Sequence, residues 1–214
     1  MADCVTGIYT GNNKKFIKVL NEGVRNSKDY QLINNKEIDS DWNKISGIET
    51  NKSYIPLIKG SIQTSYKNKK DEWFIDWSTK AVSFYKENKK AKFQNSSYYF
   101  KTGIAISKLK NKKIKAAIMK NRVFDQSIVG IFPKDKADIY FLLALLNSNI
   151  VNEIIFNINP TINNSANYLK RIPIPNYNKN EFDQISKLAY GIIYNNENNE
   201  DLLNNMVNEL YSKD

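Results

Sequence analysis

The stretch from Asp138 to Pro175, DIYFLLALLNSNIVNEIIFNINPTINNSANYLKRIPIP, concentrates the apolar residues of this chain and constrains its fold more than any other segment. Ile139, Leu142, Leu143 and Leu146 recur at helical spacing. After a break at Asn147-Ser148-Asn149 the set Ile150, Val151, Ile154, Ile155 and Ile158 repeats the pattern, which predicts a buried helical hairpin over 138–158. Asn159-Pro160-Thr161 stops the second helix, because proline lacks an N–H and pushes its predecessor out of the helical region. Tyr168–Pro175 then reads as extended, its prolines restricting it to a sheet edge or to a path packed along the core.

Upstream the signals are strand-like. Val5–Tyr9 and Phe16–Leu20 flank Thr10-Gly11-Asn12-Asn13-Lys14-Lys15, whose Gly and Asn accept positive φ, so a hairpin or tight loop is expected there. The abrupt start at Met1 is what a piece of a longer protein would show. Residues 21–53 are polar and irregular, with Trp42, Ile45 and Ile48 as anchors. Tyr54–Gly60 is a strand placed at an edge, or at its own beginning, by Pro56. Trp73–Trp77 is another, and Ser78 is a candidate cap for a short helix over 79–88 with Val82 and Tyr85 on one side. Tyr98–Phe100, Ile104–Ile106, Ile114–Met119 and Ser127–Phe132 are further strands, close enough in sequence to make a mostly antiparallel sheet.

Two amphipathic helices close the chain, Lys179–Tyr194 and Asp201–Tyr211, with the Asn-rich 195–199 as their turn. Strands first and helices last predict an α+β fold, a sheet in the N-terminal two-thirds packed against C-terminal helices. The expected division is a basic sheet-containing body over 1–177, carrying the helical hairpin, and a helical pair over 178–214 packed on it.

The bulk properties exclude several classes. At 214 residues the chain buries a large core without staples, and its single cysteine, Cys4, forms no internal disulfide, which fits a reducing compartment. There is no histidine, so His-based triads, His-ligated zinc and nucleases with a histidine base are ruled out. No apolar run approaches the ~20 residues that span a bilayer, and a cytoplasmic location is expected. The net charge is +10, yet residues 178–214 hold three lysines against seven acidic residues, so the body is more basic than the total. That asymmetry points to a polyanionic partner for the body.

Three segments are candidates for that contact. Between Lys101 and Arg122 stand Lys108, Lys110, Lys112, Lys113, Lys115 and Lys120 with no acidic residue, alternating with isoleucines as in a hairpin whose lysines face phosphates. Thr10, Asn12, Asn13, Lys14 and Lys15 form the second segment. Lys59, Ser61, Gln63, Thr64, Tyr66 and Lys67 form the third, within the loop 59–70. Asn and Gln bond adenine edges and Lys reaches guanine, so these loops suit base reading beside backbone contact, with Thr102 next to Lys101 in the same set. Each composition equally suits a solvated loop.

Catalytic signals are poor. Asn159-Pro160-Thr161-Ile162 keeps only two residues of the tetrapeptide that base amino-methyltransferases use, and no Gly-rich nucleotide loop is present. Asp76, Glu87 and Lys89 match the loose spacing of magnesium-dependent nucleases, one alternative function. Tyr98 and Tyr99 as stacking platforms would make a single-strand or RNA binder, a second, and a protein-interaction module is a third. Trp42, Trp73 and Trp77 could stack on bases but suit core packing better. Cys4 reads as a small hydrophobe.

Taken in order, Gly7–Ile17, Pro56–Ile62, Tyr98–Ile104, Ile131-Phe132-Pro133, Tyr140–Ser148, Asn159-Pro160-Thr161 and Tyr168–Pro175 resemble the target-recognition (specificity) domain at the C-terminal end of TaqI-like N6-adenine DNA methyltransferases. That family includes fused restriction–modification enzymes and phage-exclusion methyltransferases. The resemblance implies a non-enzymatic module that reads several base pairs of double-stranded DNA, mainly from the major groove. A separate catalytic domain, on the same or another chain, would flip and methylate the adenine. S-adenosylmethionine would bind that absent catalytic domain, and no cofactor or metal is expected in this one. Specificity subunits of multisubunit restriction systems share similar segments in two halves, of which one is visible here.

Overall fold

The computed structural model describes residues 1–20, 31–38, 44–67, 71–110 and 112–213. Trp42 and residues 68–70 of the third candidate loop lie outside the described residues, as does most of 21–43. The element order is β1 (Ala2–Thr6), α1 (Asn13–Phe16), β2 (Ile17–Val19), β3 (Gln31–Leu32), β4 (Lys52–Ile58), β5 (Tyr66–Lys67), β6 (Trp73–Asp76), α2 (Thr79–Glu87), β7 (Gly103–Ser107), β8 (Ala116–Met119), β9 (Val123–Phe124), β10 (Ile128–Pro133), α3 (Ile139–Asn147), α4 (Asn149–Ile158), α5 (Ala166–Leu169), α6 (Lys179–Tyr194) and α7 (Glu200–Tyr211). The fold is α+β, as expected.

The strands make two sheets where one was expected. The first has the order β1-β10-β7-β8-β5 and the second β2-β6-β4-β3, with β9 also paired to β4. Most pairings are antiparallel, but β3 and β9 run parallel to β4, and β5 parallel to β8. The first sheet is the middle layer. Because side chains alternate along a strand, Ile104, Ile106, Val129 and Ile131 enter a core with the helices, while Ala105, Ala117, Met119, Ile128 and Phe132 enter a second core with the other sheet and α2.

The second core is aromatic. Trp77 is fully buried, with the rings of Tyr85, Phe93, Tyr99 and Phe100 at 5.7 to 6.4 Å, and its indole N–H donates to the Lys44 carbonyl at 2.7 Å. Ser78 caps α2 as anticipated, its hydroxyl accepting from the Ala81 N–H. Burial raises the Tyr85 and Tyr99 phenol pKa values, so both stay protonated.

Four local expectations are corrected. Val5–Tyr9 and Phe16–Leu20 form no hairpin: β1 pairs β10 in the first sheet and β2 pairs β6 in the second, and the intervening loop holds the short helix α1. Tyr98–Phe100 is not a strand, since a 3-10 turn over Ser96–Tyr98 leads to Phe100 at φ 66°. β4 is an interior strand despite Pro56. Its pairing with β3 ends at Tyr54 and that with β9 begins at Leu57, so the residue without an N–H falls in the gap. The segment Tyr168–Pro175 begins inside α5 and becomes irregular only afterwards.

The helices start and stop where the apolar periodicity and caps direct. α3 is buried almost throughout, and it meets α4 at a bend of 73°, a corner more than a hairpin. Ser148 makes that corner by donating to the Leu145 carbonyl at 2.7 Å and capping the Val151 N–H. α4 ends at Ile158, before Pro160. Asn178 and Glu181 close a capping box at α6. Both α6 and α7 contribute to the same core as α3, through Ile185, Ala189, Ile192, Leu203, Val207 and Leu210. No single helix among the described residues is long and apolar enough to cross a membrane.

Two buried asparagines tie this helical layer to the first sheet. Asn147 Oδ1 accepts from the Ala116 N–H at 2.9 Å, and its Nδ2 donates to the Ala116 carbonyl at 2.9 Å, so one side chain satisfies both backbone groups of a strand residue. Asn152 Oδ1 accepts from the Ile114 N–H at 2.5 Å. Both bonds lie at the root of the lysine-rich β7–β8 connection.

Cys4 is buried between β1 and α3, and burial pushes its thiol up to about 11, with Lys170 opposing the shift. Alkylation by iodoacetamide at pH 8 is therefore expected to be slow in the folded chain and fast in denaturant. Equal rates would place the thiol at the surface.

Candidate nucleic-acid interface

The interface is built where three chain segments run in the same direction and end together. β4 and β9 are parallel, and Ile8 bridges Asp125 in parallel on the other side of β9. The Ile8 N–H donates to the Phe124 carbonyl at 2.9 Å, the Gln126 N–H to the Ile8 carbonyl at 2.8 Å, and the Asp125 N–H to the Ile58 carbonyl at 2.9 Å. Gly7 permits this approach, because a Cβ there would lie 1.9 Å from the Phe124 carbonyl oxygen. Lys59, Asp125 and Tyr9 therefore emerge side by side.

The turn Asp125–Ser127 joins them to the β7–β8 connection. Its Ser127 hydroxyl accepts from the Gly60 N–H at 2.8 Å, and its Ser127 carbonyl from the Lys108 N–H at 2.7 Å. Ser107 Oγ accepts from the Ile62 N–H at 2.6 Å, and the Lys115 ammonium donates to the Gln63 carbonyl at 2.8 Å. Parts of two candidate segments, 59–63 and 107–115, thus border one end of the fold, whereas the third, 10–15, leads into β2, whose first residue Ile17 lies level with Ile55 in mid-β4.

Not every candidate side chain is available there. Thr10 is 2% exposed, and its hydroxyl donates to Asn13 Oδ1 at 2.8 Å; Asn12 Oδ1 accepts from the Lys15 N–H at 3.1 Å and caps α1. These three residues build the loop, leaving Lys14 and Lys15 as its exposed cations, the latter 5.0 Å from the Phe16 ring centroid. Tyr66 is corrected outright: it is 3% exposed at φ 63°, a core residue. Thr64 donates to the Lys67 carbonyl at 2.6 Å and Lys67 to Asn196 at 3.1 Å, while Ser61 and Gln63 present exposed polar side chains.

The run from Lys101 to Arg122 divides. Gly103 pairs Met119 at one end of the hairpin and Ile106 pairs Ala116 toward the other. Lys101, Thr102 and Lys120 consequently sit about 13 Å, four strand residues, from the end that bears Lys108 to Lys115. Two expected phosphate contacts are neutralised within the protein. Lys59 pairs with the buried Asp125 at 2.8 Å, and Arg122 forks onto Asp71 at 2.6 and 3.1 Å. Lys110 keeps its charge but is fixed, donating to the Asn159 carbonyl at 2.7 Å with its ammonium 4.3 Å from the Phe156 ring centroid. Among the described residues no carboxylate pairs with Lys108, Lys112, Lys113 or Lys115. Lys112 and Lys113 border an open cleft of about 410 Å³ against Asn149, Asn152, Glu153 and Phe156 on α4.

The geometry weighs against two alternatives. Asp76 and Glu87 flank the nine-residue helix α2, about 13 Å apart along its axis, too far to share one Mg²⁺. Tyr99 is buried, and the Tyr98 ring lies 4.7 Å from Phe132 with its hydroxyl on Asp3, so neither is a free stacking platform.

One element beside the candidate site escapes the sequence reading. The loop after Asn159, legible in sequence only as a helix stop, lies along the lysine-rich connection: the Lys110 N–H donates to the Ile162 carbonyl at 2.8 Å and the Asn164 N–H to the Lys108 carbonyl at 2.6 Å. The available signal was the cluster Asn159-Pro160-Thr161-Ile162-Asn163-Asn164, whose side chains favour turns bonded to their own backbone.

Compared with known proteins, the chain matches no protein-family model and no curated protein.

Proposed function

We propose that this chain is the target-recognition part of an N6-adenine DNA methyltransferase or restriction–modification enzyme. It binds double-stranded DNA in the cytoplasm through the end of the fold bordered by Ser61, Gln63, Lys108, Lys112 and Lys113. Methyl transfer and S-adenosylmethionine belong to a catalytic domain on the same or a separate chain. The observation that carries the reading is the convergence of segments 59–63 and 107–115 at one end, with Lys108, Lys112 and Lys113 left without acidic partners among the described residues. A rigid cationic rim attracts a phosphate backbone, and exposed Gln and Ser beside it can bond base edges. Tyr98 and Tyr99 are not free as stacking platforms, which favours duplex over single-strand binding.

Gel shift of a random duplex and of its separated strands, each at 50 and 200 mM salt, tests this. The duplex is expected to bind more tightly than either strand and to lose about 10²-fold or more in affinity between the two salts. Equal affinity for single strands, or a salt-independent shift, would refute it. Selection from a duplex library should then yield a preferred sequence that changes on Gln63→Ala.

A further inference from the structure

We propose that the cleft between Lys112–Lys113 and the outer face of α4 is a site for a single nucleotide whose base carries an exocyclic amino group. The inference stands on the cleft itself and goes beyond duplex recognition. At about 410 Å³ the cleft falls within the ~300–1,000 Å³ of small-molecule sites. Lys112 and Lys113 line it from the β7–β8 connection, Glu153, Phe156 and Asn157 line it from α4, and each is exposed. The two sides are fixed to one another. Asn152, buried and also lining the cleft, accepts from the Ile114 N–H at 2.5 Å and donates to the Ser148 carbonyl at 2.8 Å, which ties the residue after Lys113 to α4. Before Lys112, the Lys110 ammonium donates to the Asn159 carbonyl at 2.7 Å and sits 4.3 Å from the Phe156 ring centroid. A site held in this way loses little freedom when a ligand enters.

Each lining group selects one part of the ligand. Lys112 and Lys113, without acidic partners among the described residues, attract a phosphate. Phe156 is 40% exposed, and its ring offers a planar surface on which a base stacks. Glu153 precedes Phe156 by three residues and Asn157 by four, so the three side chains are neighbours on one helix face. The Glu153 carboxylate shares the cleft with two lysines yet forms no ion pair among the described residues. Its oxygens are therefore open to an amino donor such as adenine N6 or cytosine N4, and Asn157 beside it can bond a base edge. Phosphate, plane and amino donor together describe a nucleotide, which arrives either free or as an unpaired unit of a bound DNA strand.

Two measurements test the site and separate the sources: calorimetric titration with deoxyadenosine and thymidine monophosphates, and gel shift of duplexes carrying one unpaired adenine or one unpaired thymine against the fully paired duplex. An adenine nucleotide bound about tenfold more tightly than the thymine nucleotide assigns the free ligand. The same preference for the unpaired adenine, with no heat from the mononucleotides, assigns the DNA unit. In either case Phe156→Ala should weaken binding about tenfold, and Glu153→Gln should remove the preference for adenine over thymine. Both residues are exposed, so an unchanged melting temperature verifies that each variant folds. Equal binding of adenine and thymine in both formats, or a preference that survives both substitutions, overturns the site and leaves duplex recognition to its own salt-dependent test. A chain that binds the adenine nucleotide with this preference but no duplex keeps the site and refutes the duplex reading.

Discussion

Replacing Lys108, Lys112 and Lys113 together with alanine is expected to flatten the dependence of log K on log salt by ~2.7, at ~0.9 for each phosphate no longer neutralised. A fourfold rise in salt would then cost the variant roughly 40-fold less affinity than it costs the wild type. The prediction rests on Lys112 and Lys113 being exposed and Lys108 half-buried, all without acidic partners among the described residues, at the end of the fold where segments 59–63 and 107–115 meet. The matched control is Lys59→Ala. Its ammonium is already paired with Asp125, which is 2% exposed, so removing it should leave the salt slope unchanged and lower stability by about 3 kcal/mol through an unpaired buried carboxylate. Urea denaturation and a salt titration on both variants separate the two roles. A flattened slope for Lys59→Ala, or an unchanged one for the triple variant, would transfer the DNA-facing surface elsewhere.

Asn147→Leu should destabilise the fold by about 2–5 kcal/mol although it enlarges the apolar content of α3. Leucine has nearly the same shape as asparagine but offers no partner to the N–H and carbonyl of Ala116, which is fully buried. Each of those groups is left without a bond that water could restore. Asn147→Asp should fare no better, because a carboxylate keeps the acceptor, removes the donor to Ala116 and Leu143, and places charge in an apolar layer. Hydrogen exchange sharpens the test: the amide of Ala116 should lose protection first. An asparagine-to-leucine change that proves neutral would mean the helix and strand are held by apolar packing alone.

Much of this fold could be read from the residues. The period of Ile139 to Leu146, the Ser78 cap, the proline stop after Ile158 and the extents of α6 and α7 are local features, set by side chains within a few positions of one another. The two sheets could not be read that way. β7 and β10 are buried on both faces, so their sequences show runs in place of alternation, and the strands they pair with come from elsewhere in the chain. Tyr98-Tyr99-Phe100 has the composition of a strand, yet Tyr98 and Tyr99 pack on different partners, Phe132 and the Trp77 cluster, which the turn into a left-handed Phe100 allows.

The candidate site divides on the same ground. Lysines and asparagines mark the candidate loops, but their availability depends on distant partners. Lys59 meets Asp125 from 66 positions away and Arg122 meets Asp71 from 51, separations at which composition says nothing about charge pairing.

Ser61, Gln63, Lys112 and Lys113 are exposed and belong to neither core. Substitutions there leave both cores untouched, so on the proposed reading a lineage can acquire a new preferred sequence by altering the rim while inheriting the rest unchanged. Diversity of address and constancy of architecture then become separable traits, selected at different positions of one polypeptide.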